Sequence, residues 1–255
     1  MRPYALSIAG FDPSGGAGIL ADIKTFENHK VYGFGVCTAI TFQNDMEFEG
    51  INWVSVEKIK KQIDTLFRKF EISYAKIGII PNLNILLEII DFLAAKNPEI
   101  QIIWDPILQA SAGFAIHNKV DKKQLLTICE KLTLITPNIP EMEALVPDMQ
   151  VKKGAEMLCH YCPVLLKGGH RDGAPIDHLF GNGDQAEIYN GERIEGEIKH
   201  GTGCVLSAAV VANLALRQPL FNACRKAQKY VRGFISSNES RLGYHLKDYH
   251  LSIAN

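Results

Sequence analysis

Two periods of apolar and polar residues alternate along this chain. Short apolar runs that end on a polar residue give way to stretches in which apolar residues recur every three or four positions. These are the patterns of buried strands and amphipathic helices. Residues 5–9 predict a strand and 19–30 a helix. Residues 34–42 predict a second strand, with Val36, Thr38, Ile40 and Thr41 supplying β-branched side chains. Residues 55–70 predict an amphipathic helix with Ser55 as its N-cap and Val56, Ile59, Ile63, Leu66, Phe67 and Phe70 on its apolar side. Its Lys58, Lys60, Lys61, Arg68 and Lys69 read as a solvated face. A strand over 75–78, a helix over 83–95 and strands over 102–104, 132–136 and 164–166 follow. Residues 177–180 and 185–189 flank a Gly181-Asn182-Gly183-Asp184 turn, which predicts a hairpin. Residues 204–215 and 222–238 read as helices.

Alternating strands and helices imply an α/β fold, a mostly parallel sheet covered on both faces. Ligands of such sheets bind at the carboxyl ends of the strands. Asp12, Gln43, Asp105, Asn138 and Lys167 each follow an apolar strand run directly. Five polar residues at one end of successive strands point to an active site.

Composition narrows the reading. The chain has 255 residues, with 27 Lys+Arg against 28 Asp+Glu, a formal net charge of −1. A length in this range suits one α/β domain spanning residues 1–255. The balanced charge removes the basic field that non-specific nucleic-acid binding and polybasic membrane attachment need. The apolar segment 205–216 contains Ser207 and Asn213 and is too short to span a bilayer. Only Arg2 precedes a short apolar stretch that meets Asp12, so no signal peptide is expected. Six scattered cysteines then suggest a reduced, cytoplasmic protein. Cys159 and Cys162 form a C-x-x-C with no second pair to complete a zinc site.

Two glycine-rich segments lead into predicted helices. Gly10-Phe11-Asp12-Pro13-Ser14-Gly15-Gly16-Ala17-Gly18 is neither a dinucleotide fingerprint nor a Walker A loop. Either a tight turn or a backbone cradle for a ligand would suit it. His200-Gly201-Thr202-Gly203-Cys204 places N–H groups at a helix start, where the dipole adds positive charge. Such an anion hole suits a transferring phosphoryl group. The same position is expected to favour the Cys204 thiolate. Asn138-Ile139-Pro140-Glu141 reads either as an N-cap with an acidic first turn or as part of a water-held Mg²⁺ site shared with Asp105. Lys167 places a cation after a buried strand.

Together these fragments are specific. The chain resembles the hydroxymethylpyrimidine/phosphomethylpyrimidine kinases of thiamine biosynthesis, within the ribokinase-like superfamily. The resemblance rests on residues 7–18 with Ala21-Asp22-Ile23-Lys24-Thr25, and on Thr38-Ala39-Ile40-Thr41-Phe42-Gln43-Asn44. It continues through Lys76-Ile77-Gly78, Asp105-Pro106, Thr136-Pro137-Asn138 with Glu141, Lys167-Gly168-Gly169-His170 and Gly201-Thr202-Gly203-Cys204.

The resemblance implies a three-layer α/β/α fold and ATP- and Mg²⁺-dependent phosphorylation of 4-amino-5-hydroxymethyl-2-methylpyrimidine, then of its monophosphate. It implies that Gln43 bonds the pyrimidine edge, with Gly10, Ala17 and Ile107 lining the pocket and Asp12 close by. Gly201, Thr202, Gly203 and Cys204 would form the anion hole, Cys204 standing in the place of the aspartate base of sugar kinases. Asn138 and Glu141 would organise Mg²⁺ with Asp105, and Lys167 would contact ATP phosphates, alongside Asn138, Thr202 and Gly203 as nucleotide contacts. A homodimer is also implied. Ile79 stands near the substrate where the family usually has Met, residues 107–113 match loosely, and 243–247 lack the usual ending. A pyridoxal kinase, a cysteine hydrolase or acyltransferase using Cys204 with His200, and a non-catalytic pyrimidine sensor stand as alternatives.

Overall fold

The computed structural model describes residues 1–108, 120–168, 176–181, 184–189, 194 and 199–245. The strands are β1 (Tyr4–Phe11), β2 (Tyr32–Gln43), β3 (Phe48–Trp53), β4 (Tyr74–Ile77), β5 (Gln101–Trp104), β6 (Leu134–Ile135), β7 (Val164–Leu166), β8 (Ile176–Gly181) and β9 (Asp184–Tyr189). The helices are α1 (Gly18–Asn28), α2 (Val56–Phe67), α3 (Leu83–Lys96), α4 (Lys122–Cys129), α5 (Ile139–Leu145), α6 (Val151–Leu158), α7 (Thr202–Ala215) and α8 (Leu220–Ile235). Among the described residues the strands form one sheet in the order β3-β2-β1-β4-β5-β6-β7-β8-β9. The six strands from β2 to β7 pair in parallel. β3 and the β8–β9 hairpin add antiparallel edges.

Helices cover both faces, as parallel strands with buried sides require. On one face Leu6, Ile8, Ile77, Ile102 and Trp104 pack with apolar side chains of α2 to α6. On the other, Ala5, Ile103, Leu134 and Leu165 pack with α1, α7 and α8. α7 is buried on every side, from Cys204 to Ala215. That explains an apolar run with no amphipathic stripe. Its Ala208, Ala209 and Ala212 are fully buried, small enough for α7 to lie close to the sheet and both neighbouring helices.

Most predicted elements appear within a few residues of their expected bounds. β3 is an addition that the apolar pattern did not signal. Ser55 does precede α2, but its side chain makes no cap hydrogen bond to the helix backbone. The Gly181↔Asp184 pairing agrees with the predicted hairpin, whose turn residues Asn182 and Gly183 lie outside the described residues. So do Gly169, His170, the loosely matching segment 109–113 and Leu246 and Lys247.

An irregularity in β2 shapes the ligand end of the sheet. Ala9 pairs with Cys37 and Gly10 with Ala39, leaving Thr38 as an extra residue. The Thr38 hydroxyl donates to the carbonyl of Ile79 at 2.8 Å. Where β3 has not yet begun, the Gln62 amide pairs with both the N–H and the carbonyl of Cys37, at 3.0 and 3.1 Å. One side chain thus occupies the edge that a strand would otherwise need to cover.

Candidate active site

Asp12 and Asp105 directly follow β1 and β5, Lys167 directly follows β7, and Gln43 is the last residue of β2. Asn138 bridges to Lys167 beyond β6 and β7. All five lie at the carboxyl end of the parallel strands. Two glycine-rich segments enter the same end, one leading into α1 and one into α7.

These segments pack directly on each other. Gly201 has φ +77°, and a Cβ there would lie 1.9 Å from the carbonyl oxygen of Gly16. Gly18 has φ +59°, and its Cβ would lie 2.2 Å from the carbonyl oxygen of Gly10. Only glycine meets both demands at either place. The carboxylate of Asp12 ties the arrangement together. Oδ1 accepts the Ser14 N–H, and Oδ2 accepts the Ser14 hydroxyl and the Ala17 N–H, at 2.8–2.9 Å. His200 Nε2 lies 2.9 Å from Oδ2, so Nε2 carries the proton when Asp12 is ionised. Burial alone would raise the Asp12 carboxyl; the bonds from His200, Ser14 and Ala17 outweigh it and hold the group below its ordinary pKa. Asp12 thus shapes the loop, and all of its described bonds are to protein groups.

Beside the start of α7 stands a charged cluster. Lys167 Nζ donates to Asp105 at 2.8 Å and lies 3.5 Å from Glu141 Oε2. Asp105 also accepts the hydroxyls of Thr136 and Ser207, at 3.1 and 3.0 Å. A methyl group on Gly203 would lie 3.6 Å from Lys167 Nζ and 3.9 Å from Asp105 Oδ2, so the first turn of α7 borders the cluster. Asn138 and Glu141 form a capping box: each side chain accepts the other's N–H, at 2.8 and 2.7 Å. The N-cap reading of this pair is the one the hydrogen bonds bear out. Burial, with Asp105 nearby, pushes Glu141 up to about 7 against the pull of Lys167. Burial works against the charge of Lys167 too, but Asp105 and Glu141 raise its pKa above the ordinary lysine value.

Cys204 is 7% exposed. Its sulfur accepts the N–H of Gly18, the first residue of α1. The expected stabilised thiolate is not found. Burial pushes the thiol up to about 11, and Asp22 and Asp105 oppose ionisation further; the Gly18 N–H and the Lys76 ammonium compensate only in part. The helix-start effect fades when water is excluded from the sulfur itself. His200 directs Nε2 to Asp12 rather than to Cys204, so the geometry supplies no Cys–His pair for acyl transfer.

The residues expected around a pyrimidine form a second group. A Cβ on Gly10 would lie 3.0 Å from Ile79 Cγ2, and one on Gly78 would lie 3.7 Å from Ile107 Cδ1. Gly10 and Ile79, and Gly78 and Ile107, are thus apolar neighbours at the carboxyl ends of β1, β4 and β5. Gln43 is half-buried at the end of β2, and its amide has no hydrogen-bond partner among the described residues. Ala17 instead belongs to the Asp12 loop, through the N–H that it donates to that carboxylate. Sequence reasoning missed the Ser207 and Thr136 contacts to Asp105. It also missed a buried pair, Lys76 with Asp22. Its only trace was a lysine inside the apolar run of β4.

The donor set suits one kind of ion. Carboxylate oxygens from Asp105 and Glu141, with no metal-ligating imidazole grouped with them among the described residues, fit a hard cation that brings its own phosphate and water ligands. Among the described residues no group of three or more metal-ligating side chains occurs, so the protein alone supplies only part of a coordination shell.

A parallel sheet covered on both faces, with a helix start bordering a lysine–carboxylate cluster at its strand ends, is the arrangement of the ribokinase-like kinases. Residues 12–250 match the model of the phosphomethylpyrimidine kinase family, and the chain belongs to that family. A hydroxymethylpyrimidine/phosphomethylpyrimidine kinase of Rhizobium meliloti is 36% identical over 246 residues, covering 93% of this chain and 92% of its own. The crystal structure of phosphomethylpyrimidine kinase from Clostridium difficile superposes with a TM-score of 0.75 at 33% identity, covering 90% of this chain and 98% of its own. Pyridoxal kinase from Staphylococcus aureus in complex with ADP gives a TM-score of 0.84 at 23% identity, covering 99% and 96%, and shares the fold.

Proposed function

We propose that this chain transfers the γ-phosphoryl group of ATP to the hydroxymethyl group of 4-amino-5-hydroxymethyl-2-methylpyrimidine, and then a second group to the monophosphate. The carrying observation is the meeting of the first turn of α7 with the Lys167–Asp105 pair at the strand ends, where Gly10 and Ile79 also lie. Phosphoryl transfer is mainly positioning and electrostatic stabilisation, and each part of the site supplies one of these.

The N–H groups of residues 201–204 point from a helix start toward the transferring group. Lys167 holds phosphate charge, and Nδ2 of Asn138, which has no partner among the described residues, can donate beside it. Asp105 and Glu141 would hold Mg²⁺, which would neutralise phosphate charge. Gln43 offers a matching amide to the aminopyrimidine edge. Cys204 takes the hydroxyl proton, which leaves late in the transfer. A dimer is part of this reading, supported by exposed Phe11, Ile40 and Phe42 on the neighbouring strands β1 and β2. So is a cytoplasmic location, supported by six free cysteines. No helix among the described residues is long and apolar enough to cross a membrane.

A coupled ADP-release assay tests the activity with the pyrimidine alcohol, its monophosphate and pyridoxal. The pyrimidine alcohol is expected to give the largest kcat/KM; preferential use of pyridoxal would redirect the assignment to vitamin B6. Cys204→Ala is expected to lower kcat by about two orders of magnitude with little change in KM for the alcohol. Near-normal turnover by that variant would sink the role given to Cys204.

A further inference from the structure

We propose that the buried Lys76–Asp22 ion pair positions the first turn of α7, making both side chains positioning residues for phosphoryl transfer. Neither has any solvent exposure, and Lys76 Nζ lies 2.5 Å from Asp22 Oδ1. The other oxygen of Asp22 accepts the Ser7 hydroxyl at 2.5 Å. Lys76 Nζ also reaches the carbonyl oxygen of Cys204, at 3.4 Å. One ammonium therefore joins β4, α1 and α7, and it meets α7 at the residue whose sulfur accepts the Gly18 N–H. Ser7 extends the same network into β1.

The location is what singles this pair out. Removing two charges from water costs about as much as their attraction returns, so an apolar pair of similar volume commonly stabilises as well or better. The surrounding core is built in just that way, with Ile8, Ile77 and Ile103 fully buried nearby in sequence and sheet. A directional link differs from apolar packing in fixing orientation. Here it sets the height and rotation of the α7 start against α1, and so the relative placement of Cys204 and the N–H groups of residues 201–204. Misplacing reacting groups by about an ångström costs on the order of 100-fold in rate.

The inference rests on residues 201–204 acting as the anion hole. Its test is the double variant Lys76→Met/Asp22→Leu, which replaces the pair by apolar groups. It is expected to unfold cooperatively at a midpoint no lower than the native protein's. Its kcat is expected to fall at least about tenfold while KM for ATP and for the pyrimidine alcohol stays within about threefold. A folded double variant with kcat within about twofold of the native value overturns the proposal. If the double variant does not fold, Asp22→Asn keeps the shape and is read by the same split between kcat and KM, with the same overturning result. The two possible failures are separable. Full activity of this variant together with an impaired Cys204→Ala removes only the role of the ion pair; an unimpaired Cys204→Ala removes the site assignment beneath it.

Discussion

At Cys204 the burial that completes the site also holds the thiol near 11. Base catalysis through it then draws on a thiolate fraction that grows about tenfold per pH unit below that value. The native kcat should therefore climb with pH between about 6 and 9, and Cys204→Asp should flatten the profile, because its carboxylate is already ionised. A flat native profile would count against the base. Glu141 gives a second pH signature. Its folded pKa of about 7 lies above the ordinary glutamate value of 4.5. The folded state thus binds the proton more tightly, so stability falls as pH rises from 4.5 towards 7 and the deficit is constant above. Glu141→Gln keeps an acceptor for the Asn138 N–H without the charge. Its melting midpoint should exceed the native one by a few degrees near pH 8, a gain that vanishes near pH 5. Equal midpoints at both values would refute this account. Residues such as Asp105 and Lys167 were legible because each follows an apolar run directly. The partnership of Lys76 was not, since its carboxylate lies 54 residues earlier on another element.

α7 and the loop before α1 meet backbone against backbone, so the contact tolerates no added atom. Gly201→Ala must accommodate a Cβ placed 1.9 Å from the Gly16 carbonyl oxygen at φ +77°. The positive φ alone costs on the order of 1 kcal/mol for a non-glycine residue, and the clash adds to it. Activity should fall at least about 100-fold, with a lowered melting midpoint; a variant with native kcat would show that the two loops are free to separate. The helix starts themselves were readable as glycine-rich punctuation. β3 was not, because Phe48-Glu49-Gly50-Ile51-Asn52-Trp53 mixes polar and apolar residues without a buried face, and its side chains stay half or fully exposed. An edge strand is held by backbone pairing to β2, which leaves little trace in composition. The cap expected from Ser55 failed for a similar reason: the residue type allows the bond, but local geometry decides whether it forms.

Across the whole molecule, the sheet separates two bodies of core, one under α2 to α6 and the other under α1, α7 and α8. Their layering followed from alternating strands and helices, whereas the union of the site's two halves depends on contacts between distant parts of the chain. Asp12 and His200 are 188 residues apart. β1 lies within the sheet, and its inner side toward α1 is covered by α7. A chain ending at residue 199 should therefore lack cooperative unfolding altogether, rather than fold as an inactive kinase. A sharp calorimetric transition from such a fragment would contradict this. The consequence reaches into synthesis. The first strand leaves the ribosome early, and although α1 packs on it at once, the cover of that face is completed only by nearly the last helices. The same docking event completes that face and brings His200 and the first turn of α7 to Asp12 and Gly16, so an unfinished chain lacks the contact that joins the two glycine-rich segments.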